Sequence, residues 1–128
     1  MIDHVDFAVT DLPRSRAFYM KVLAPLGMAP VASVDRSDGD GHRGVGFGTL
    51  EKPVFWIGCG DPVQGRLHVA FRAESRDAVN AFHRAALTAG GIDHGAPGLR
   101  PHYHAHYYAA YVRDPDGHVI EAVCHHWH

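Results

Sequence analysis

His4, His68 and Glu121 are the residues of this chain whose types and placement could do chemistry together. His4-Val5 recurs as His68-Val69, an offset of 64 residues. The same offset relates Phe7 to Phe71, Ala17-Phe18 to Ala81-Phe82, Leu23 to Leu87 and Gly27 to Gly91. A period this long, seen twice, means two copies of one supersecondary unit. The two histidines then stand at equivalent places near the start of the first strand in each copy. A pseudo-twofold axis between the copies would turn both rings into one central cleft. The third donor comes from the closing segment His118-Val119-Ile120-Glu121-Ala122-Val123-Cys124, in which Glu121 is a charged residue inside an apolar strand. A carboxylate there is costly unless it is paired or binds a metal. Strand alternation puts Val119, Glu121 and Val123 on one face and Ile120, Ala122 and Cys124 on the other, against the helices. Two imidazoles and one carboxylate hold Fe(II) or Mn(II), and sometimes Zn(II), while leaving positions open for substrate and water. Taken singly, each residue has a plainer reading. His4 and His68 could be strand-end histidines, and Glu121 could pair with Arg113 across a hairpin. Their combination is what favours metal chemistry.

The elements that must position these side chains follow from periodicity and punctuation. In the first copy, residues 2–9 alternate as a strand around Val5, Phe7 and Val9. Asp11 offers a helix N-cap with Pro13 in the first turn. Phe18, Val22 and Leu23 make one buried stripe, and Gly27 follows the helix end. In the second copy residues 67–72 form the strand, Ser75 the N-cap, and Asp77 suits the positive end of the helix dipole. Val79, Phe82, Ala86 and Leu87 make the stripe, and Gly90-Gly91 end it. Short strands follow each helix: near 30–34, 44–50 and 53–58, then a weak one near 92–94, 107–113 and 118–124. Asp114-Pro115-Asp116-Gly117 joins the last two in a tight type I turn. Each half is therefore β-α-β-β-β. The fold class is α+β: two tandem modules, about 1–60 and 66–124, in a single domain over 1–128, forming an open curled sheet around a metal cleft. Residues 35–46, rich in Asp and Gly, read as a solvated mobile loop, since the terminal Glu of a calcium loop is missing. Residues 59–66 read as the linker.

Composition narrows the class. Hydrophobic residues are 46% and charged residues 20%, an ordinary globular balance. The formal net charge of -2 gives no reason to expect a nucleic acid or an acidic membrane as partner. No apolar run approaches the ~20 residues of a membrane helix, and the N-terminus reads as a strand rather than as a signal peptide. Cys59 and Cys124 do not make a disulfide framework, so the expected location is cytoplasmic. Cys124 ends an apolar strand and reads as packed. The tail Cys124-His125-His126-Trp127-His128 reads either as a metal tract or as a frayed end. Histidines number 12, equal to Lys and Arg together, which raises the expectation of metal chemistry.

The segments Asp3-His4-Val5, Phe18-Tyr19 and Leu26-Gly27 resemble the opening motif of the vicinal oxygen chelate superfamily, the group of glyoxalases, bleomycin-resistance proteins and extradiol dioxygenases. Asp114-Pro115-Asp116-Gly117-His118-Val119-Ile120-Glu121 resembles its closing motif, in which the Glu is a metal ligand. His68 heads the second module, where the family also places a ligand. The resemblance covers nearly the whole chain. It implies paired β-α-β-β-β modules, one divalent ion (Fe, Mn, Zn or Ni) held by His4, His68 and Glu121, a small-molecule substrate and a homodimer. The site would be built within one chain or from modules of two.

One departure from the pattern is informative. Glyoxalase I enzymes are similar but carry a fourth ligand, a Glu on the last strand of the first module. Laying Val54-Phe55-Trp56-Ile57 against Val119-Ile120-Glu121-Ala122 puts Trp56 there, and indole is not a ligand. Tyr107, Ala109 and Tyr111 share one strand face. Extradiol dioxygenases are similar in having a His and a Tyr near the places of His102 and Tyr111, as acid/base and orienting groups. Tyr103, His104, Tyr107 and Tyr108 compete for those roles, and aromatic packing explains the tyrosines as well. The expectation is a metal-dependent enzyme that chelates adjacent oxygens of a small molecule. The ligand count and the His/Tyr pair favour dioxygenase-like over glyoxalase-like lyase or isomerase chemistry. The alternatives are a metal-free, drug-binding protein of the bleomycin-resistance kind and a thiol transferase of the fosfomycin-resistance kind.

Overall fold

Two short helices carry the architecture, and side chains hold the start of each. In the computed structural model, which describes residues 1–35 and 43–126, α1 spans Leu12–Leu23 and α2 spans Arg76–Thr88. Asp11 accepts a hydrogen bond from the Arg14 amide at 3.2 Å, and the Ser75 hydroxyl accepts one from the Ala78 amide at 3.1 Å. Each satisfies a backbone donor that the helix cannot, worth about 1 kcal/mol. Both caps are the residues expected from sequence. A 3₁₀ turn, Ala24–Leu26, follows α1 and ends at Gly27, whose φ of 81° is the left-handed conformation that glycine adopts without steric cost.

The strands are β1 (Val5–Val9), β2 (Ala29–Asp35), β3 (Arg43–Thr49), β4 (Lys52–Cys59), β5 (His68–Arg72), β6 (Ile92–Leu99), β7 (Tyr108–Arg113) and β8 (Val119–Cys124). They form two four-stranded mixed sheets, ordered β1-β4-β3-β2 and β5-β8-β7-β6. In each the first strand runs parallel to the last, and the remaining pairs are antiparallel. The repeat is therefore a repeat of topology, β-α-β-β-β twice. The residue register repeats too. Asp6 lies opposite Trp56 in the first sheet, and Ala70 lies opposite Glu121 in the second. Trp56 thus occupies the place of Glu121, as the sequence alignment of the two halves requires.

Helix α1 packs against α2, and one apolar core joins the two modules. Phe55 and Phe71 meet edge to face at 5.0 Å across the halves, as do Phe7 and the His118 ring at 5.5 Å. The Tyr19 hydroxyl on α1 donates to Asp114 Oδ2 at 2.5 Å in the β7–β8 turn, and the Thr10 amide donates to Asp116 Oδ2 at 3.2 Å. Phe18, Val22, Leu23, Val79, Phe82 and Ala86 are buried as expected. Leu87 is not: it is 42% exposed, because it lies about 100° around the helix from Ala86.

Three strand boundaries differ from the sequence reading. β1 starts at Val5 rather than at residue 2. Part of the expected loop 35–46 is strand, since β3 begins at Arg43; residues 36–42, where the rest of that loop falls, lie outside the described residues. β6 is far longer than the weak strand expected near 92–94, and its register shifts twice, around Gly95 and before Gly98. Glycines and a proline inside a strand hide it from a propensity argument. The hairpin turn is as expected: the Gly117 amide returns to the Asp114 carbonyl at 2.9 Å, with Gly117 at φ 87°.

Candidate active site

Glu121 lies in the middle of β8 with its side chain turned away from the helices, while Ile120, Ala122 and Cys124 point into the core. Its side chain is only 3% exposed. Such a carboxylate must be satisfied, and two side chains do so. His68 Nε2 lies 2.8 Å from Oε1, and the Tyr107 hydroxyl donates to Oε2 at 2.5 Å. Arg113, the sequence-level rival partner, instead donates from Nη1 to the Gly117 carbonyl at 2.9 Å. His68 opens β5, which pairs with β8 so that Ala70 is directly opposite Glu121. The imidazole reaches the carboxylate diagonally and remains about one-third exposed, at 35%. The acid is thus buried behind the imidazole, which lines the cleft.

Tyr111 is directly opposite Glu121 in the β7–β8 register, and its ring meets the His68 ring at 6.0 Å, near perpendicular. Burial raises the Tyr111 phenol above its ordinary range, with the Glu121 charge adding to the rise and Arg100 opposing it. Burial also pushes up the Tyr107 phenol, reinforced by its hydrogen bond to Glu121. Both tyrosines therefore stay protonated at neutral pH and act as donors. His102 stands on the cleft wall with its ring 4.3 Å from that of Tyr103, which in turn packs on Tyr107 at 4.7 Å. Tyr108 points to the other face and donates to Asn80 Oδ1 on α2 at 2.7 Å. His104 is occupied with His125, nitrogen to nitrogen at 2.9 Å. So His125 belongs to a ring cluster rather than to a frayed end, while Trp127 and His128 lie outside the described residues. Of the competing aromatic residues, Tyr107 makes the 2.5 Å hydrogen bond to Glu121, and strand alternation alone had not separated it from Tyr111, which lies opposite Glu121.

His4 stands elsewhere. Just before β1, its Nδ1 is 2.7 Å from Asp3 Oδ1, and Lys52 Nζ donates to both oxygens of Asp3 at 2.9 Å. These pairs hold the Asp3 carboxyl below its usual range. The His4 side chain is half exposed, at 51%. No three metal-binding side chains gather within one chain among the described residues. His4 and His68 stand at the starts of the first strands of different sheets, and the two modules meet through α1, α2 and one shared core. The donor chemistry of His68 and Glu121 fits a divalent ion, and no third donor joins them among the described residues.

Above His68 a cleft of about 680 Å³ opens between the 65–68 segment, the start of β6 at His94, the 100–103 turn and the β7–β8 hairpin. Among its walls are Arg66, Arg100, Arg113, His94, His118 and Tyr111. Of these the sequence reading had singled out only Tyr111 for a role in the site. His118 is buried, with Nδ1 3.6 Å from Asp114 Oδ2 and no hydrogen-bond partner.

Comparison with known proteins agrees with this fold. The model of the Glyoxalase/Bleomycin resistance protein/Dioxygenase superfamily matches residues 1–122, and the chain belongs to that superfamily. Among solved structures it is similar to a glyoxalase/bleomycin resistance protein from Albidiferax ferrireducens T118, with 30% identity, 97% of this chain and 98% of that one covered, and a TM-score of 0.69. A glyoxylase/bleomycin resistance protein/dioxygenase domain from Frankia sp. EAN1pec matches with a TM-score of 0.73 at 18% identity, covering 97% and 96%. A mutant of the fosfomycin resistance protein FosX from Listeria monocytogenes, complexed with Mn(II) and 1S,2S-dihydroxypropylphosphonic acid, matches with a TM-score of 0.70 at 20% identity, covering 96% and 90%. No curated protein matches the chain. No helix among the described residues is long and apolar enough to cross a membrane.

Proposed function

We propose that the chain is a divalent-metal-dependent enzyme whose site is completed between two copies, with His68 and Glu121 from one and His4 from the other. The observation that carries this reading is Glu121: a carboxylate buried on the sheet face opposite the core and joined to the imidazole of His68, which lines a cleft. His4 supports it from the other side. It occupies the repeat-equivalent place of His68, is exposed, and is turned by Asp3 so that Nδ1 is engaged. A carboxylate on one ring nitrogen fixes the tautomer and orients the other nitrogen as a ligand. A metal bound in such a structure of FosX makes the reading reasonable for the fold.

The ion, when bound, supplies Lewis acidity to two adjacent oxygens of a small molecule. The protein groups do the rest. Tyr107 holds the second oxygen of Glu121 and keeps that ligand from swinging. Tyr111, protonated and facing the cleft, donates a hydrogen bond or a proton to the substrate oxygen nearest it. His102, on the wall, is the group placed to exchange protons with solvent. The place of a fourth carboxylate is held by Trp56, so an isomerase that needs a second acid/base carboxylate fits less well than dioxygenase-like chemistry.

A second reading has its own support. Within one chain His68, Tyr107 and Glu121 already satisfy each other, as a metal-free binding protein would require. Metal content decides between them. Tag-free protein purified anaerobically, beside Glu121→Ala, is expected to hold about one ion per chain that the variant lacks. No metal in either protein after addition of Fe(II), Mn(II), Zn(II) and Ni(II) refutes the enzyme reading.

A further inference from the structure

We propose that the cleft above His68 recognises a small molecule through an oxyanion group, a carboxylate or a phosphate-type group, and that Arg100 is the residue that binds it. The proposal rests on the reading of this cleft as the substrate site and adds the chemical class of what enters.

Three arginines line the cleft, with four histidines, and no Asp or Glu is among the lining residues. The chain as a whole carries a formal net charge of -2, so positive charge is concentrated here against the average. A concave site with one sign of charge focuses its field and raises the local concentration of the opposite charge. None of Arg66, Arg100 and Arg113 forms an ion pair among the described residues. Ordinary surface arginines are solvated singly; three converging on one cavity without a counter-charge are poised for an external one.

Arg100 is held for the task. Its Nη2 donates to the Ala96 carbonyl at 2.8 Å, and its Cζ sits 5.3 Å from the centre of the Tyr111 ring. Two glycines of β6 make the room. A Cβ on Gly95 would come within 2.8 Å of Tyr111 Cδ2 and 3.3 Å of Arg100 Nη2, and one on Gly98 within 3.1 Å of Arg100 Nη1. The register shifts of β6 fall at these same residues. The strand is thus bent and stripped of side chains where the guanidinium lies over the tyrosine. Stacking fixes the plane of the fork; Nη1 also makes a long 3.5 Å hydrogen bond to the Leu99 carbonyl, and the N–H groups not spent on Ala96 and Leu99 remain for a planar or tetrahedral oxyanion. The fixed cation lies beside Tyr111, which faces Glu121 across the β7–β8 register, so an anion on Arg100 would orient the rest of the ligand toward His68 and Glu121.

The test uses the full chain stripped of metal with a chelator, so that it reads the cleft and not the ion. Isotope-labelled protein is titrated with inorganic phosphate in one arm and acetate in the other, following amide signals by NMR. Saturable binding of one equivalent per chain is expected in at least one arm, shifting Gly95 and Gly98, and the arm that saturates assigns the class. Arg100→Met is expected to weaken it about tenfold or more, as for loss of a hydrogen bond to a charged group. Arg100→Lys, which keeps the charge, should weaken it several-fold. Arg84→Met, on the exposed side of α2, should not change it. Absence of saturable binding in both arms, equal weakening in Arg84→Met, or binding by Arg100→Lys as tight as by the unaltered chain overturns the proposal. Anion binding without metal uptake would leave this inference standing and remove the metal reading; metal uptake without anion binding would do the reverse.

Discussion

Tyr107 and Glu121 are joined by a 2.5 Å hydrogen bond in which the phenol donates to Oε2, while His68 holds Oε1 at 2.8 Å. The two partners divide the carboxylate between an imidazole that can bind metal and a protonated phenol whose proton is spent on Oε2. Tyr107 is then a positioning residue, and its removal should act on the metal rather than directly on a substrate. Tyr107→Phe is expected to lower metal affinity by about ten- to a hundredfold, as for other partners that orient a ligand. Competition against a chelator of known affinity measures this. Tyr111→Phe, which removes a donor facing the cleft, should leave metal affinity within about twofold and instead lower turnover. If both substitutions change metal affinity alike, the division of roles between the tyrosines is wrong.

The separation of His4 from the His68–Glu121 pair leads to a complementation experiment. If two copies build each site, a His4→Ala chain still offers His68 and Glu121, and a Glu121→Ala chain still offers His4. Each variant alone should bind no metal tightly. Mixed and allowed to exchange, they form mixed pairs in which one site has all three donors and the other has only one. Metal content is expected to rise from near zero to about one ion per mixed pair. Sedimentation should show a two-chain species for each protein. A mixture that stays empty while exchange is demonstrated by mass would argue that the third donor is not the partner's copy of His4.

Much of this was legible in the sequence, for reasons that can be located. The repeat at His4 and His68 was visible because identical elements reuse identical residues at a fixed offset. Its strength is shown by the register, in which Asp6 faces Trp56 as Ala70 faces Glu121. The helix caps at Asp11 and Ser75 were readable because capping is local chemistry. What was hidden is non-local. Periodicity puts Tyr107 and Tyr111 on one face, but that the phenol of Tyr107 makes the short hydrogen bond to Glu121 depends on a diagonal approach between two strands. Arg100 gave no signal of its own. The glycines at 95 and 98 were the available hint, since a glycine inside a strand marks close approach of something else. The same glycines concealed β6. The sequence reading left open whether His4 joins His68 within one chain or across two, and no local rule could say that α1 and α2 would pair within the chain.

Gly95 gives a prediction that separates the shape of the cleft from its charge. A Cβ at this position meets the Tyr111 ring at 2.8 Å, too close for both to remain in place. Gly95→Ala should displace Tyr111 and loosen the Arg100 stack while leaving every charge intact. Anion binding in the cleft is expected to weaken by at least several-fold, with the salt dependence of binding unchanged. Gly117→Ala is a useful companion, because its Cβ meets nothing but its φ is 87°. It should cost about 1 kcal/mol or more of stability through backbone strain, read as a lower thermal midpoint.

Tyr19 and Asp114 make a pH-dependent clamp between the modules. The phenol is fully buried and donates to Asp114 Oδ2, whose other oxygen accepts from the Asp116 and His118 amides at 2.9 Å. Burial first, and then the Asp114 carboxylate, push the Tyr19 phenol well above its ordinary value of 10.0. In the unfolded chain the same phenol ionises near pH 10. Above that pH the unfolded state has released a proton that the folded state still holds, so unfolding becomes easier as pH rises. The contribution is therefore fully present below about pH 10 and is lost progressively above it. Thermal midpoints measured from pH 7 to 11.5 should fall steeply in the upper part of that range. Tyr19→Phe removes this phenol from the titration and leaves Asp114 Oδ2 without its donor, at a cost of about 1–3 kcal/mol near neutral pH. The variant should therefore start lower and decline less on the alkaline side, so that the two curves converge. Parallel curves would mean that other groups set the alkaline limit and that this hydrogen bond does not couple the modules.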